Sequence, residues 1–406
     1  MFESMRIALL DPNSFIGGQP HDQFRWLREN DPVHRHPESD GGPGFWAVTA
    51  YEDVRAVSRN HQVYSNEPSI MIADTTGLDL PGDAKMMITS DPPDQTRLRR
   101  LVSGAFTPRA AREMAPRIAT LSAQIVDEVI DRGECDLVAD VAGELPSYVI
   151  AELLGIPLED GRKLYQLTET IHSDKDSLPE GAQLQAGLEM FNYSAGVVAE
   201  KRRRPGNDLA SQLLEAEIDG RRLSDLEFHL FFMLLVDAGG DTTRNLVAGG
   251  MLALLERPEE FERLRTDPER RLPTAREELL RFASPVVYMR RTAKEDAMLH
   301  GRRIRKGDKL ALYYGAANRD PAVFADPDRL DLARSPNHHV AVGATGAPFC
   351  LGAQLARGAI DAMLGQIVTR MQDLELTSEP EWLASSFISG PRTMPVRFRP
   401  AARLQV

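Results

Sequence analysis

Apolar residues recur every three or four positions along much of the chain, and this spacing predicts helices over about 94–106, 108–131, 145–154, 180–203, 224–256, 258–266, 273–282 and 351–371. Short runs rich in β-branched and aromatic residues predict strands at 45–50, 286–290, 298–304, 309–313 and 393–398. Residues 65–90 show no clean period. The expected fold class is therefore mainly α with small β-sheets.

The longest apolar stretch carries the strongest start signal. Ser224 and Glu227 form a capping-box pattern, and Pro258 lies beyond the far end, so one helix of roughly 45–50 Å is expected. Near its middle stands Leu234-Leu235-Val236-Asp237-Ala238-Gly239-Gly240-Asp241-Thr242-Thr243-Arg244. Two glycines, an acid and two threonines are poor helix formers. They predict a local widening or kink, with room for a small ligand beside it. A merely irregular core helix is the competing reading. Asp237, Asp241 and Arg244 interrupt the apolar run and argue against a membrane span.

Composition narrows the class. The 406 residues contain no evident linker, repeat or low-complexity tract, so a single domain over 1–406 is expected. With 42% hydrophobic and 27% charged residues the chain suits a soluble protein, and a net charge of −12 argues against nucleic-acid binding. Ile7-Ala8-Leu9-Leu10 is too short for an anchor and ends at Asp11-Pro12, which points to a cytoplasmic chain without a membrane anchor. There are two cysteines. Cys135, in a short strand-like stretch, is most simply a structural thiol.

The other cysteine carries the chemistry. In Gly346-Ala347-Pro348-Phe349-Cys350-Leu351-Gly352, it precedes a helix and lies between glycines. Free N–H groups and the positive helix end favour a thiolate there, while Gly346 and Gly352 let a flat ligand approach the backbone. A buried small hydrophobe remains the alternative. Upstream, Glu278-Leu279-Leu280-Arg281 puts two opposite charges on one helical face.

The order Ala-Gly-x-Asp-Thr-Thr, Glu-x-x-Arg, Gly-x-x-x-Cys-x-Gly resembles the cytochrome P-450 superfamily of heme-thiolate monooxygenases. Asp91-Pro92-Pro93 with Arg97-Leu98-Arg99-Arg100, Arg291-Thr292-Ala293, Ala317-Asn318-Arg319-Asp320-Pro321 and Phe324-Ala325-Asp326-Pro327-Asp328-Arg329 also resemble segments of its soluble bacterial members.

The resemblance implies heme b (iron protoporphyrin IX) held between the long central helix and the helix after the cysteine. Cys350 would be the axial iron ligand, whose electron donation favours O–O cleavage. Asp241 and Thr242 match the acid and alcohol that manage the protons consumed with O2. Glu278 and Arg281 match a structural ion pair, completed by Arg329. Arg99 and Arg291 match the partners of the heme propionates, with Gln95 one turn before Arg99. Val342 and Pro348 depart from the family's phenylalanine and its basic residue. Pro348 offers no donor at all, so His338 or His339 is a candidate substitute.

By family position the substrate pocket would be lined by Leu234, Asp237, Ala238, Val286, Val287, Phe387 and Ile388. Most are apolar, which suits a terpenoid, steroid, lipid or polyketide-like molecule. Asp237 is the exception, serving either a polar group of the substrate or an internal pair. The implied activity is hydroxylation with O2 and electrons from a ferredoxin and ferredoxin reductase. Desaturation, oxidative coupling and C–C cleavage are alternatives, as is a non-catalytic heme sensor. Arg97, Arg100 and Arg357 are expected to form the basic patch that docks the ferredoxin.

Overall fold

In the computed structural model the described residues are 5–38, 41–73, 85–172, 178–218, 220–344, 346 and 349–404. Part of the aperiodic 65–90 stretch and the expectation about Pro348 lie outside them.

The long helix is present from Asp225 to Leu255, and all of its residues are helical. Ser224 caps it: its hydroxyl accepts from the Glu227 N–H at 3.2 Å, while its own N–H donates to the Glu227 carboxylate at 2.8 Å. Arg221 adds two contacts to that carboxylate at 2.7 and 2.9 Å. Phe228, Phe232, Leu246, Val247, Met251 and Leu254 bury this helix on several sides. It packs against Glu144–Leu154, Leu158–His172, Ala182–Arg203, Pro268–Ala283 and the helix Ala353–Arg370 that follows Cys350.

The predicted break is corrected by what surrounds the two glycines. A Cβ on Gly239 would lie 2.5 Å from Ile150 Cδ1, and one on Gly240 would lie 2.9 Å from the Tyr165 ring. The glycines let two neighbouring helices press onto the backbone of the central one. The expected back-bonding hydroxyl is present within the unbroken helix, from Thr242 Oγ1 to the Ala238 carbonyl at 3.0 Å.

A five-stranded sheet flanks the helices in the order Val33–His36, Phe45–Val48, Lys309–Tyr313, Tyr288–Ala293 and Tyr64–Ser65. Leu310 pairs with Arg291, which sets Arg291 on an interior strand. The predicted strand at 298–304 is a hairpin, Ala297–Leu299 with Arg302–Ile304. Its turn residues His300 and Gly301 have φ of 46° and 73°, the left-handed region that reverses the chain. Cys135 pairs with Val396 in a three-stranded sheet. Burial pushes its thiol up to about 12, so it is unreactive at neutral pH.

The helices His21–Asn30, Tyr51–Arg59, Leu158–His172 and Leu209–Glu215 were not predicted. In Leu158–His172 the buried face is made by Gly161, Leu164, Tyr165 and Thr168, half of which a hydrophobicity pattern does not register. Among the described residues no single helix is long and apolar enough to cross a membrane.

The two classes of helix glycine should respond oppositely to a methyl group. Gly240→Ala must displace a buried ring and should lower stability by roughly 1–3 kcal/mol. Gly249→Ala, whose Cβ would meet Ala283 at an ordinary 3.5 Å, should be neutral or stabilising by up to about 1 kcal/mol. Thermal unfolding of the two variants checks the sign, and equal effects would contradict the packing role of Gly240.

Candidate active site around Cys350

Cys350 sits three residues before Ala353, the first helical residue, with Gly352 at the cap. Its N–H donates to the Val342 carbonyl at 2.9 Å, which folds the preceding loop back on itself. That turn needs left-handed glycines, and Gly343 and Gly346 have φ of 100° and 93°. The cysteine is open by surface area, yet protein surrounds it closely enough that burial raises its thiol pKa. The N–H groups of Gly352 and Ala353 and the charges of Arg99 and Arg357 oppose that rise but do not overcome it. The helix-start N–H groups thus act toward the thiolate as expected, with burial acting against them.

Arg99 lies on the helix Asp94–Ser103, half-buried, four residues after the buried Gln95 and on the same face. Burial lowers its pKa and the Cys350 charge opposes this, which locates the guanidinium beside the cysteine. Arg291 is enclosed more deeply. It donates to the Arg290 carbonyl at 2.7 Å and hydrogen-bonds the buried Tyr314 hydroxyl, while burial lowers its pKa. Among the described residues neither Arg99 nor Arg291 has a carboxylate in ion-pair contact. A buried cation without an anion is costly unless something anionic joins it.

The loop that carries the cysteine is anchored to Pro268–Ala283. Glu278 and Arg281 are fully buried and doubly hydrogen-bonded, both at 2.8 Å. Arg281 also donates to the carbonyls of Asn318, Pro327 and Arg329 at 2.8, 2.7 and 3.1 Å. The third member of this centre is Arg334, not Arg329. Arg334 Nε lies 3.1 Å from both oxygens of Glu278, and Asn337 adds a donor at 3.0 Å. Arg329 contributes only its carbonyl and its side chain is exposed. Its residue type and position pointed to it, but the chain turns so that the arginine five residues later faces the carboxylate.

Glu277 ties the same helix to the cysteine helix. Its carboxylate accepts from Arg357 at 2.7 and 2.9 Å, from Arg276 at 2.8 Å and from His339 at 2.9 Å. Burial disfavours its charge, but these donors outweigh it and hold the carboxyl well below the usual range. His339 is therefore committed internally and is not a spare anion partner, whereas His338 is exposed. Arg357 is likewise drawn inward, with its side chain only 19% exposed.

On the opposite flank, the two segments expected to line the substrate pocket do meet. Val286 bridges Ile388, and Val287 N–H donates to the Phe387 carbonyl at 2.9 Å. Val287 itself is fully buried in a core cluster with Tyr288 and Tyr313, so it supports the pocket wall from behind. Ala238 is exposed beside the half-buried Asp237, and Leu234 is buried. Asp237 has an interaction of its own within the protein. A cleft of about 510 Å³ opens on the cysteine-loop side, between Tyr51, Arg55, His338, Val342 and Phe349. It includes none of the expected substrate residues.

Relatives decide the family. A methyl-branched lipid omega-hydroxylase of Mycobacterium tuberculosis (strain H37Rv) is 40% identical over 385 residues, covering 92% of this chain and 90% of its own. A steroid C26-monooxygenase of Rhodococcus jostii is 35% identical over 401 residues, covering 97% and 84%. The chain belongs to the cytochrome P450 family. The family model for cytochrome P450 matches residues 189–381, and a Mycobacterium marinum cytochrome P450 in complex with pseudoionone superposes with a TM-score of 0.90 at 36% identity, covering 97% of this chain and 100% of that one. The protein is thus a cytochrome P450 monooxygenase, a bacterial-type enzyme using heme iron, O2 and a small-molecule substrate.

The donor set fits a heme. A heme would bring two anionic propionates and an iron that takes a sulfur ligand; among the described residues Arg99 and Arg291 have no carboxylate in ion-pair contact, and the Cys350 sulfur lies near the N–H groups of Gly352 and Ala353. A bound iron would favour the deprotonated sulfur and so offset the effect of burial on the Cys350 thiol.

The Glu278 centre separates the two candidate arginines. Arg334→Ala leaves a buried carboxylate short of a donor and should cost about 3 kcal/mol. Arg329→Ala keeps the carbonyl in use and should stay within about 0.5 kcal/mol of the parent. Chemical denaturation of both variants is the measurement, and the reverse ranking would restore Arg329 to the centre.

Proposed function

We propose that this P450 hydroxylates a mainly apolar lipid or steroid, with heme b held between the central helix and the Cys350 helix. The observation that carries the reading is the accessible Cys350 sulfur, set among backbone N–H donors and beside Arg99. Cys350 would bind the iron, Arg99 and Arg291 the two propionates, with Gln95 steadying Arg99. Gly346 and Gly352 would leave the macrocycle's approach unobstructed; a Cβ on Gly352 meets nothing within 4 Å.

When bound, the heme supplies reductive activation of O2. The chain's own residues manage position and protons. Leu234, Ala238, Val286, Phe387 and Ile388 would exclude water and hold an apolar molecule over the reactive face. Thr242 keeps its hydroxyl proton on the Ala238 carbonyl, so its oxygen is free to accept a hydrogen bond. Asp241, buried one residue earlier, can pass protons toward that hydroxyl. Glu278, Arg281 and Arg334 hold the scaffold and take no chemical part.

Lipid and steroid substrates are favoured by the two relatives named above and by the apolar lining. Electrons would come from a ferredoxin and its reductase. Arg100 is exposed and Arg97 partly so, on the helix that carries Arg99, which supports an acidic partner docking there. The expected contribution of Arg357 is corrected, since Glu277 occupies it.

Purified enzyme with a ferredoxin system should incorporate one atom of labelled O2 into a methyl-branched fatty acid or a steroid. Desaturated, coupled or cleaved products would reassign the outcome, and absence of any oxygen consumption would leave only a heme sensor. Cys350→Ser should abolish the thiolate-type spectrum of the reduced carbon monoxide adduct, while Cys135→Ser keeps it. Thr242→Ala should retain heme and substrate binding yet divert most reducing equivalents to peroxide; a fully coupled variant would remove Thr242 from proton management.

A further inference from the structure

The helix Ala182–Arg203 buries Ala186, Met190, Ser194, Val197 and Val198 where it packs against Leu158–His172, Leu209–Glu215 and the central helix. Its outer face is apolar as well. Leu184, Leu188 and Phe191 stand four and three residues apart, hence on one side, and are 70%, 50% and 36% exposed. Other exposed large apolar residues, such as Ile16 and Met298, lie singly elsewhere. The stripe continues toward the C-terminal end as the exposed Ala195 and Ala199, with the exposed Gly196 beside them. A Cβ on Gly196 would meet nothing within 4 Å, so no neighbour in the chain itself calls for a glycine there. Glycine weakens an exposed helix, and close approach by another chain supplies a reason for it.

The helix is held firmly beneath this face. The Phe191 ring lies 4.3 Å from the ring of the buried His229, whose Nδ1 is 2.7 Å from Ser194 Oγ, and the Tyr193 hydroxyl donates to Asp160 at 2.8 Å. A surface fixed in advance loses little freedom on binding.

We propose that this face pairs with the same face of a second copy of the chain, the two helices running antiparallel about a two-fold axis near Phe191 and Asn192. In that register the bulky half of each helix meets the small half of the other, with Leu184 opposite Ala199 and Leu188 opposite Ala195 on both sides of the axis. Bulky residues thereby enter a recess made by small ones, which close helix packing requires. The ends match in charge. Lys201, Arg202 and Arg203 make the last turn basic, and the register sets that turn level with the start of the second helix, which the exposed Glu180 precedes. These cations already hold Asp208, Asp225 and Glu200 within the chain, so charge orients the pair while the apolar contact holds it. A lipid surface fits the face less well. Gln185 and Glu189 flank the leucines, the chain carries a net charge of −12, and a bilayer makes no use of the recess at Ala195 and Ala199.

The holoenzyme tests the pairing. Sedimentation velocity over a concentration series should show the parent passing from monomer to dimer. Leu188→Glu should weaken that association by about tenfold or more. Its heme spectrum and thermal unfolding should stay those of the parent, because position 188 is exposed. Asn192→Cys, at the axis, should form a disulfide-linked dimer with itself on mild oxidation. Leu184→Cys should not link with itself, yet should link with Ala199→Cys when the two variants are mixed. A parent that stays monomeric at high concentration overturns the proposal, and so does a dimer that Leu188→Glu leaves unchanged. Self-linking of Leu184→Cys would overturn the antiparallel register. Binding of a monomeric parent to vesicles of phosphatidylcholine and phosphatidylglycerol, lost in Leu188→Glu, would assign the face to lipid instead.

Discussion

The buried pair of Glu278 and Arg281 is the constraint on which the rest of the site depends. Both side chains are fully excluded from water, and an ion pair in that position stabilises only if the remaining donors and acceptors are all used. Here they are used on the chain itself. Arg281 holds three carbonyls, and Glu278 takes donors from Arg334, Asn337 and the Asp331 N–H. A segment with little regular structure is thereby given one conformation. Asn318 extends the effect: its carbonyl accepts from Arg281, while its side chain accepts from the Val340 N–H at 2.7 Å at the entry to the cysteine loop. The position of Cys350 is therefore a consequence of charges far from it along the sequence.

The electrostatics of the loop set burial of the Cys350 thiol against nearby N–H donors and positive charges. Burial acts more strongly on the Cys350 thiol than the donors around it. A raised thiol pKa lowers the thiolate fraction of a free cysteine, and the N–H groups of Gly352 and Ala353 with Arg99 and Arg357 offset that in part. Glu277 adds to this balance from outside. By engaging Arg357, it keeps a positive charge close to the sulfur while neutralising that charge toward solvent. The same contact draws Arg357 inward, which leaves the surface around it less basic than the sequence implied.

Most of this was legible in the sequence where local chemistry dictates local structure. The capping box at Ser224, the glycines around Cys350 and the Glu-x-x-Arg spacing each act within a few residues, and each has the expected form. What was not legible depends on long-range approach. Gly239 and Gly240 read as a weak point because propensity ignores the Ile150 and Tyr165 side chains that lie against them. Arg334 was missed in favour of Arg329 because the turn that decides between them is set by Arg281. The helix Leu158–His172 escaped notice since Gly161 and Thr168 serve on its buried face, and a Cβ at Gly161 would lie 2.6 Å from the Ser147 carbonyl. The pocket residues on two distant segments did meet, though Val286 and Ile388 belong to one core cluster and Val287 to another.

The misses at Gly240 and in Leu158–His172 share one cause. The approach of Leu158–His172 to the central helix requires small residues on both sides, Gly240 on one and Gly161 at the contact with Glu144–Leu154. Close approach lets the Tyr165 ring reach the central helix backbone and lie beneath Arg244, and it carries Glu169 into an ion pair with Arg244. A bulkier residue at position 240 would push Tyr165 outward. The carboxyl at 169 would move with it, because both belong to the same helical face four residues apart. Packing of apolar and aromatic groups against glycine thus sets the distance between two ionisable groups, and a sequence read only for its charges would place them on unrelated helices.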